Sequence, residues 1–205
     1  MDIESIMKDT GFNLNQRIAR RVSELRASQK LPLDELARRS GVSRSMISLI
    51  ERGESSPTAV VLEKLAAGLR VTLASLFDPP ADAARAPGGP VARHKDQPLW
   101  RDPASGYLRR NVSPSWVPQP MQIVEVQFPP GQRVAFETGG RDVRVWQQVW
   151  VLEGGMKVTL GTECHELREG DCLAMQLDRP TTVHNPTRKT ARYALVIASE
   201  TSSRR

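Results

Sequence analysis

A short segment in the first third of the chain, "VSRSMIS", combines one guanidinium with several small hydroxyls. An arginine can form two parallel hydrogen bonds with the edge of a guanine, and a serine can contact several bases or a phosphate. The residues of this kind are Ser43, Arg44, Ser45 and Ser48. Their chemistry predicts a surface that reads base edges in a DNA groove.

The same part of the chain carries most of the protein's net positive charge. Nine Lys or Arg and four Asp or Glu lie between positions 15 and 52, a balance of +5, whereas the whole chain of 205 residues has a net charge of +6. Positive charge favours a polyanionic partner, and Arg38 and Arg39 are the candidates for sequence-independent contacts. A solvated helical surface would carry the same charges, so charge alone leaves both interpretations open.

The residues that must position this surface have the spacing of a helical bundle. From Leu14 onward, apolar side chains recur every three or four positions, which is one face of an amphipathic helix. Pro32 begins a second helix, Gly41 ends it with a left-handed cap, and Ser43 caps a third. A fourth helix starts at Thr58, and a short fifth helix follows it.

The chain divides into two domains joined by a linker. The segment "DPPADAARAPGGP" is rich in proline, alanine and glycine and has no periodicity, which is typical of a linker. After it come short runs rich in β-branched residues, such as "MQIVEVQF", bounded by turn signals, which predict an all-β sandwich or barrel. The predicted divisions are a tail at 1–13, an all-α domain at 14–77, a linker at 78–106, an all-β domain at 107–199 and a tail at 200–205.

The segment "ELARRSGVSRSMISLIERGESSPT" resembles the helix-turn-helix domains of phage-repressor and Xre-type bacterial regulators, and the resemblance covers about residues 14–77. It implies an operator DNA partner. It places Arg44, Ser45 and Ser48 at base-reading positions, and Ser43 and the helix end near Thr58 against phosphates.

The resemblance has one departure and one further implication. Where the family usually has a phosphate-contacting hydroxyl at the start of the second helix, this chain has Pro32-Leu33. Regulators of this type read paired half-sites as dimers, so we expect a homodimer.

The second half resembles a cupin over about residues 107–199, in the segments "FPPGQ", "VWVLEGGMKVTLG", "LREGDCLAM" and "RPTTVHNP". In the family's terms, the resemblance implies a jelly-roll-like barrel. Metal-binding cupins place two His and a Glu around the first motif and a further His in the second. Here "AFETGGRDVRVWQQ" has no histidine, Gln147 stands at the Glu position, and Thr181 stands at the second His position.

This loss of ligands predicts that the barrel has no metal, no cofactor and no catalytic residues. We therefore expect a transcriptional regulator whose cupin barrel binds a small organic effector, dimerises the protein, or does both. The alternative is a cupin-type metal-dependent enzyme fused to a DNA-binding head, which a complete His and Glu ligand set would favour.

Strand alternation predicts which residues would meet an effector. Gln147 and Val149 fall on one face of a strand, and with Thr181 and His184 they are the candidates for lining the lumen. A primary amide can both donate and accept hydrogen bonds, which suits an organic ligand. The open alternative is a filled core in which Gln147 bonds a neighbouring backbone group.

The opposite face of the same strand carries Trp146 and Trp150. A solvent-facing pair of tryptophans would be unusual, so we expect another sheet or a second subunit to cover them.

Cys164 and Cys172 are too few for a disulfide scaffold and predict buried free thiols in a reducing compartment. A redox role, with Arg168 supplying a cation that lowers a thiol pKa, is the alternative. No apolar run is long enough to cross a membrane, and the N-terminus lacks the pattern of a signal peptide. The sequence therefore predicts a cytoplasmic protein with no membrane partner.

Overall fold

The structure is a computed structural model that describes residues 3–78, 89–117, 119–137 and 143–201. The first part of the chain, which we call the head, consists of four α-helices and a 3-10 helix. These are α1 Ile3–Ser28, α2 Leu33–Ser40, α3 Arg44–Glu51, α4 Ala59–Gly68 and the 3-10 helix Leu73–Phe77.

α2 ends at Gly41, and α3 and α4 begin after Ser43 and Thr58, where the sequence predicted these ends. Small polar residues and glycine satisfy the terminal backbone groups there. The Ser43 hydroxyl accepts a hydrogen bond from the Met46 N–H at 3.2 Å, and the Thr58 hydroxyl accepts one from the Val61 N–H at 3.3 Å. Gly41 ends α2 with φ of 67°, a left-handed conformation that costs glycine little.

The core of the head gathers one apolar face from each helix. Its fully buried side chains include Ile18, Val22, Leu36, Ile47 and Leu62. α2 also approaches α4 closely at Gly68, where an added Cβ would lie 2.9 Å from the Ser40 Cβ. This packing fixes the angle at which α3 projects from the bundle.

The second part, which we call the β domain, consists of ten strands. They are β1 Leu99–Arg101, β2 Leu108–Asn111, β3 Met121–Phe128, β4 Arg133–Phe136, β5 Val143–Glu153, β6 Gly155–Leu160, β7 Glu163–Arg168, β8 Cys172–Gln176, β9 Thr181–His184 and β10 Ala191–Thr201.

The strands form two antiparallel sheets that face each other. One sheet has the order β1-β2-β3-β10-β5-β8 and the other has the order β4-β9-β6-β7. Alternate residues of each strand point inward and are buried, among them Val126, Val149, Val151, Val158 and Val183. The arrangement is jelly-roll-like, with two separate sheets in the described residues, and the predicted fold class of a helical bundle followed by an all-β domain is confirmed.

Three elements extend into ranges where the sequence predicted irregular chain. α1 begins at Ile3, inside the range 1–13 expected to be a tail. β1 and the 3-10 helix His94–Asp96 lie inside the range 78–106 expected to be a linker. β1 is ordered by long-range packing that no local periodicity reveals, since its Trp100 ring lies 5.6 Å from the Phe77 ring of the head.

Direct contacts join the head to the β domain. The buried Asp102 carboxylate accepts hydrogen bonds from the Ala59 N–H at 2.9 Å and from the Ser105 N–H at 2.8 Å. The Lys64 ammonium lies 3.0 Å from the Glu137 carboxylate. Because Ala59 is the first residue of α4, the β domain supplies a carboxylate to the positive end of a head helix.

Candidate nucleic-acid interface and the cavity of the β domain

α3 has one buried face and one polar exposed face. Ile47 and Ile50 are buried, whereas Ser43, Arg44 and Ser45 are exposed. The exposed residues follow the turn after α2, so they stand at the N-terminal end of the helix, which is the end that enters a major groove in helix-turn-helix complexes. Ser48, one turn further on, is half-buried.

A two-pronged ion pair holds α3 against α1. The Arg26 guanidinium donates from Nε to one Glu51 carboxylate oxygen at 2.6 Å and from Nη2 to the other at 2.8 Å. A guanidinium and a carboxylate paired through two bonds have a defined mutual orientation. This contact fixes the last turn of α3 while its first turn faces solvent.

The exposed polar side chains of the head pair with each other. Arg44 Nε lies 3.3 Å from an Asp34 carboxylate oxygen, and both side chains are mostly exposed. Ser48 Oγ accepts a hydrogen bond from Arg52 Nη1. Exposed pairs of this kind contribute little to stability, so a base or phosphate can replace either partner at small cost.

Arg38 and Arg39 share one carboxylate. Both donate to Glu35, at 2.7 Å from Arg38 Nη2 and at 2.6 Å from Arg39 Nε. These hydrogen bonds lower the pKa of Glu35 to about 2, because they stabilise its charged form. The two arginines are exposed and adjacent, as a phosphate-contacting role requires, but a phosphate would compete with Glu35 for them.

Thr58 caps α4 at the boundary between the domains. Its hydroxyl oxygen accepts the Val61 N–H and its hydrogen can still donate. The neighbouring Ala59 N–H already donates to Asp102. A phosphate at this helix end would therefore lie next to the negative charge of the Asp102 carboxylate. In this respect Thr58 differs from the exposed residues at the N-terminal end of α3.

The sequence analysis did not single out Met46, whose side chain is 37% exposed on the same surface as Ser45. An apolar side chain in a major groove can contact the methyl group of thymine. The signal was available, since Met46 directly follows Ser45 and lies off the buried face that Ile47 and Ile50 define.

A cavity of about 70 Å³ lies between the two sheets of the β domain. Gln147, Val149 and Thr181 are on its wall, as expected from strand alternation. The Thr181 hydroxyl donates to the Arg179 carbonyl at 3.2 Å, so one of its polar bonds is already made. The 3-10 helix of the head closes part of the same cavity through Thr72, Leu73 and Ala74.

The structure does not bring His184 to this cavity. Along β9, Thr181 and Val183 are buried, whereas His184 alternates to the opposite side and is half-exposed. A side chain three positions from Thr181 on a strand must point to the other face, because successive residues alternate.

The sequence analysis missed the polar residues that the strands Leu108–Asn111 and Ala191–Thr201 and the turn before β2 bring to the cavity wall. Tyr107, Arg109 and Tyr193 line the cavity and are buried. Burial raises the pKa of both phenols, which therefore remain protonated, and it lowers the pKa of the Arg109 guanidinium. The alternation in "GYLRRNV" places Tyr107 and Arg109 on one face, but composition alone does not say that this face is the inner one.

The outer face of the six-stranded sheet is apolar and open. Trp146 and Trp150 are 47% and 49% exposed. Within the ranges that the structure describes, no second sheet covers them. Neighbouring strands extend this apolar surface up to two charged residues on the same face, since Glu125 lies opposite Ala194 and Arg144 alternates with Trp146. We call its uncharged residues the tryptophan face, and they are Met121, Ile123, Trp146, Gln148, Trp150, Cys172, Ala174, Gln176, Ala194, Val196 and Ala198.

The expectation of buried thiols was wrong, because Cys164 and Cys172 are both free and exposed. Within the described part of the chain, no group of three or more His, Cys, Asp or Glu side chains is arranged to hold a metal ion. None of the described helices is long and apolar enough to cross a membrane.

Comparison with known proteins agrees with the geometry of α2, the turn and α3. The family model described as HTH_3, helix-turn-helix, matches residues 22–76. These residues are an HTH_3 helix-turn-helix domain. The match covers the last part of α1, both helices of the motif, α4 and most of the 3-10 helix.

The chain is also similar to a curated transcriptional regulator. The HTH-type transcriptional regulator SutR of Escherichia coli (strain K12) is 39% identical over 71 residues, which are 35% of this chain and 40% of SutR. The aligned part thus spans well under half of that relative.

A crystal structure of an HTH_3 family transcriptional regulator from Vibrio cholerae is 26% identical, covers 91% of this chain and 97% of its own, and has a TM-score of 0.72. The likeness therefore extends through the β domain as well as the HTH_3 domain.

Proposed function

We propose that this protein is a transcriptional regulator that binds operator DNA through α3. Arg44, Ser45 and Ser48 contact base edges, Ser43 contacts a phosphate, and these residues form one surface beside the turn. The observation that carries the proposal is the contrast within α3, whose inner face is buried and fixed by Arg26 while its N-terminal polar face is open. A protein with this role works in the cytoplasm, where bacterial DNA is.

The supporting contacts to the phosphate backbone come from Arg38 and Arg39. Both are exposed on α2, next to the turn, and their side chains donate hydrogen bonds to Glu35. Because phosphate contacts carry no sequence information, these arginines add affinity for all DNA alike.

The functional unit is a homodimer formed through the tryptophan face. An exposed, mainly apolar surface that spans four strands is costly to leave in water. A two-fold axis requires groups that pair with their own copies, and Gln148 lies between Trp146 and Trp150 with an amide that can both donate and accept. Such a dimer presents two heads, as two half-sites require.

The cavity of the β domain binds a small organic effector. Gln147 and Thr181 occupy the positions where the cupin resemblance places a carboxylate and an imidazole, and a neutral amide and a hydroxyl are poor ligands for a catalytic metal. They are suitable hydrogen-bonding groups for an organic molecule, and both lie on the cavity wall.

The decisive experiment is selection of DNA from a random pool with the full-length protein. We expect enrichment of a sequence with two inverted half-sites. The selection is repeated with Arg44→Ala, and its matched control is Arg188→Ala. Arg188 is an exposed arginine of the β domain, so its replacement removes one positive charge outside α3 and should leave the selected sequence unchanged. A pool that shows no enrichment after several rounds would overturn the proposal.

A further inference from the structure

We propose that the effector is a small organic anion whose negative group pairs with Arg109 inside the cavity. This inference rests on the effector-binding role proposed above and names the chemical class of the ligand. It follows from one buried arginine, from the apolar walls around it and from the position of the head.

Arg109 is a buried cation without a matching anion. Its side chain is 3% exposed, and neither Nε nor Nη2 has a hydrogen-bond partner among the described residues. A guanidinium presents its donors in a fixed fork that fits two oxygens of a carboxylate or sulfonate. Buried charges in proteins are normally paired, so an unpaired fork on a cavity wall indicates a site for a charged ligand.

Among the described residues, no carboxylate forms an ion pair with Arg109. Glu63 is the one carboxylate among the described wall residues; it has an interaction of its own and no hydrogen bond with Nε or Nη2 of Arg109. Asn111 Oδ1, on the same face of β2, is also unpartnered. A water molecule could satisfy that amide oxygen and one N–H of Arg109, but water leaves the positive charge uncompensated.

The remainder of the cavity selects the body of the ligand. Most of the other wall residues are apolar, including Val126, Phe128, Val149 and Met156. The volume of about 70 Å³ is roughly half of the ~150 Å³ cavity that accommodates a benzene molecule. The ligand is therefore a compact anion with a short aliphatic body, and the phenols of Tyr107 and Tyr193 are available to orient it.

The site spans the boundary between the domains. The Arg109 guanidinium lies over the Phe77 ring, with Cζ 5.2 Å from the ring centroid, and Phe77 belongs to the head. Thr72, Leu73 and Ala74 of the head form part of the wall. An anion bound here contacts groups of both domains, so its binding stabilises the arrangement in which the head is docked.

The first test compares acids with their uncharged amides. Thermal unfolding of the full-length protein is followed with acetate, propionate, butyrate or isobutyrate, each beside its primary amide at equal ionic strength, and with ethanesulfonate to distinguish sulfonates from carboxylates. We expect at least one organic anion to raise Tm by about 5–10 °C at a hundredfold excess over Kd, and its neutral counterpart to give no rise. Equal shifts with acid and amide would overturn the assignment of an anion.

The second test removes the charge. Arg109→Met should abolish the response to the anion, while the ligand-free protein keeps or raises its Tm, because an unpaired buried charge is replaced by an apolar side chain. The control is Arg110→Met, on the opposite face of β2, where Arg110 lies 3.8 Å from Glu125; it should retain the full response. Should Arg109→Met fail to fold, Arg109→Lys keeps the charge without the fork and should weaken the response at least tenfold.

Parallel measurement of operator binding separates this inference from the proposed function. If the wild-type protein selects an operator but responds to no organic anion, the anion inference is wrong and the proposed regulator function stands. If the protein selects no DNA but its response to an anion is lost in Arg109→Met, the anion site stands and the proposed regulator function is wrong. Arg109→Met that loses several degrees of Tm yet responds like wild type would show that Arg109 is only structural.

Discussion

The arginines of α2 and α3 in the head are exposed to water, whereas the arginine in the β-domain cavity is buried. On the head, Arg44 pairs with Asp34 and Arg38 with Glu35 at exposed positions. In the cavity, Arg109 is buried and two of its nitrogens have no partner. Exposed ion pairs contribute between about 0 and 1 kcal/mol, whereas a buried charge without a partner costs considerably more.

This difference indicates two kinds of recognition. A surface whose charges exchange partners cheaply can move between random and specific DNA, as a protein that searches for an operator must. A buried guanidinium without a partner is stabilised mainly by a ligand that carries a negative charge and accepts hydrogen bonds from two of its nitrogens. The following experiments alter one side of this contrast at a time, beginning with the surface that is expected to hold two copies of both regions together.

Trp146→Glu combined with Trp150→Glu should have the largest effect, because it places two carboxylates on the tryptophan face. We expect a monomer by sedimentation, with operator affinity lowered about 100-fold or more because two linked half-site contacts become independent. Val91→Glu, which changes an equally exposed apolar residue elsewhere, is the control and should leave the dimer intact. A double variant that remains dimeric would place the interface on another surface.

Asp78→Asn tests a half-buried acid at the end of the head. Burial raises the pKa of Asp78 to about 6, from 3.8, and the positive charges of Arg21 and Arg17 only partly oppose this. The folded state therefore binds this proton more tightly than the unfolded state does. Protonated Asp78 therefore contributes to the free energy of unfolding. This contribution is greatest below about pH 4 and is lost as the pH rises through about 6.

The asparagine variant should consequently be more stable than wild type above pH 6, by about 2–3 kcal/mol. Its free energy of unfolding should lack the decline that wild type shows between pH 4 and 6. Urea denaturation at several pH values measures this. Asp96→Asn, at an exposed position, is the control and should follow the wild-type curve. An Asp78→Asn curve parallel to wild type would show that the carboxylate titrates like an exposed one.

Arg44→Ala tests whether the exposed face of α3 reads bases. Loss of a bidentate contact should weaken operator binding by about 1–3 kcal/mol and relax preference at one base pair, with little change on random DNA. Fluorescence anisotropy with operator and scrambled duplexes measures both quantities. The same loss on both duplexes would assign Arg44 to the phosphate backbone.

Arg38→Ala should give the smallest effect, because Glu35 already holds this arginine. Binding to operator and random DNA should weaken alike, and the slope of log K against log salt should fall by up to about 0.9. Arg168→Ala, at an exposed position of the β domain, is the control. A change in sequence preference would show that Arg38 contacts a base.

The contrast between the regions also explains what the sequence could predict. The recognition surface comes from one contiguous segment, in which Gly41 and Ser43 mark the ends of successive helices, so local rules were sufficient. The cavity is assembled from strands far apart in the chain and from the head. Alternation correctly placed Gln147 on the wall, and applied to β9 it separates His184 from Thr181, but it could not show that β2 turns Arg109 inward.

Burial of the two tryptophans could not be judged from the sequence for a related reason. Alternation placed Trp146 and Trp150 on the face opposite to Gln147, which is where they lie. Whether that face is covered depends on which elements pack against it, and in this protomer it remains half-exposed. β1 illustrates the converse, since long-range packing orders a segment that local composition describes as linker.

The carboxylate of Asp102 has a consequence for chimeric proteins. It accepts the first N–H of α4 from across the domain boundary, and next to it the Trp100 ring packs on Phe77. A head transplanted onto an unrelated sensor would lose this acceptor and expose an aromatic ring. The head therefore does not end at its last helix. A chimera that joins this head to another sensor domain has to keep the segment 99–107 together with the helices.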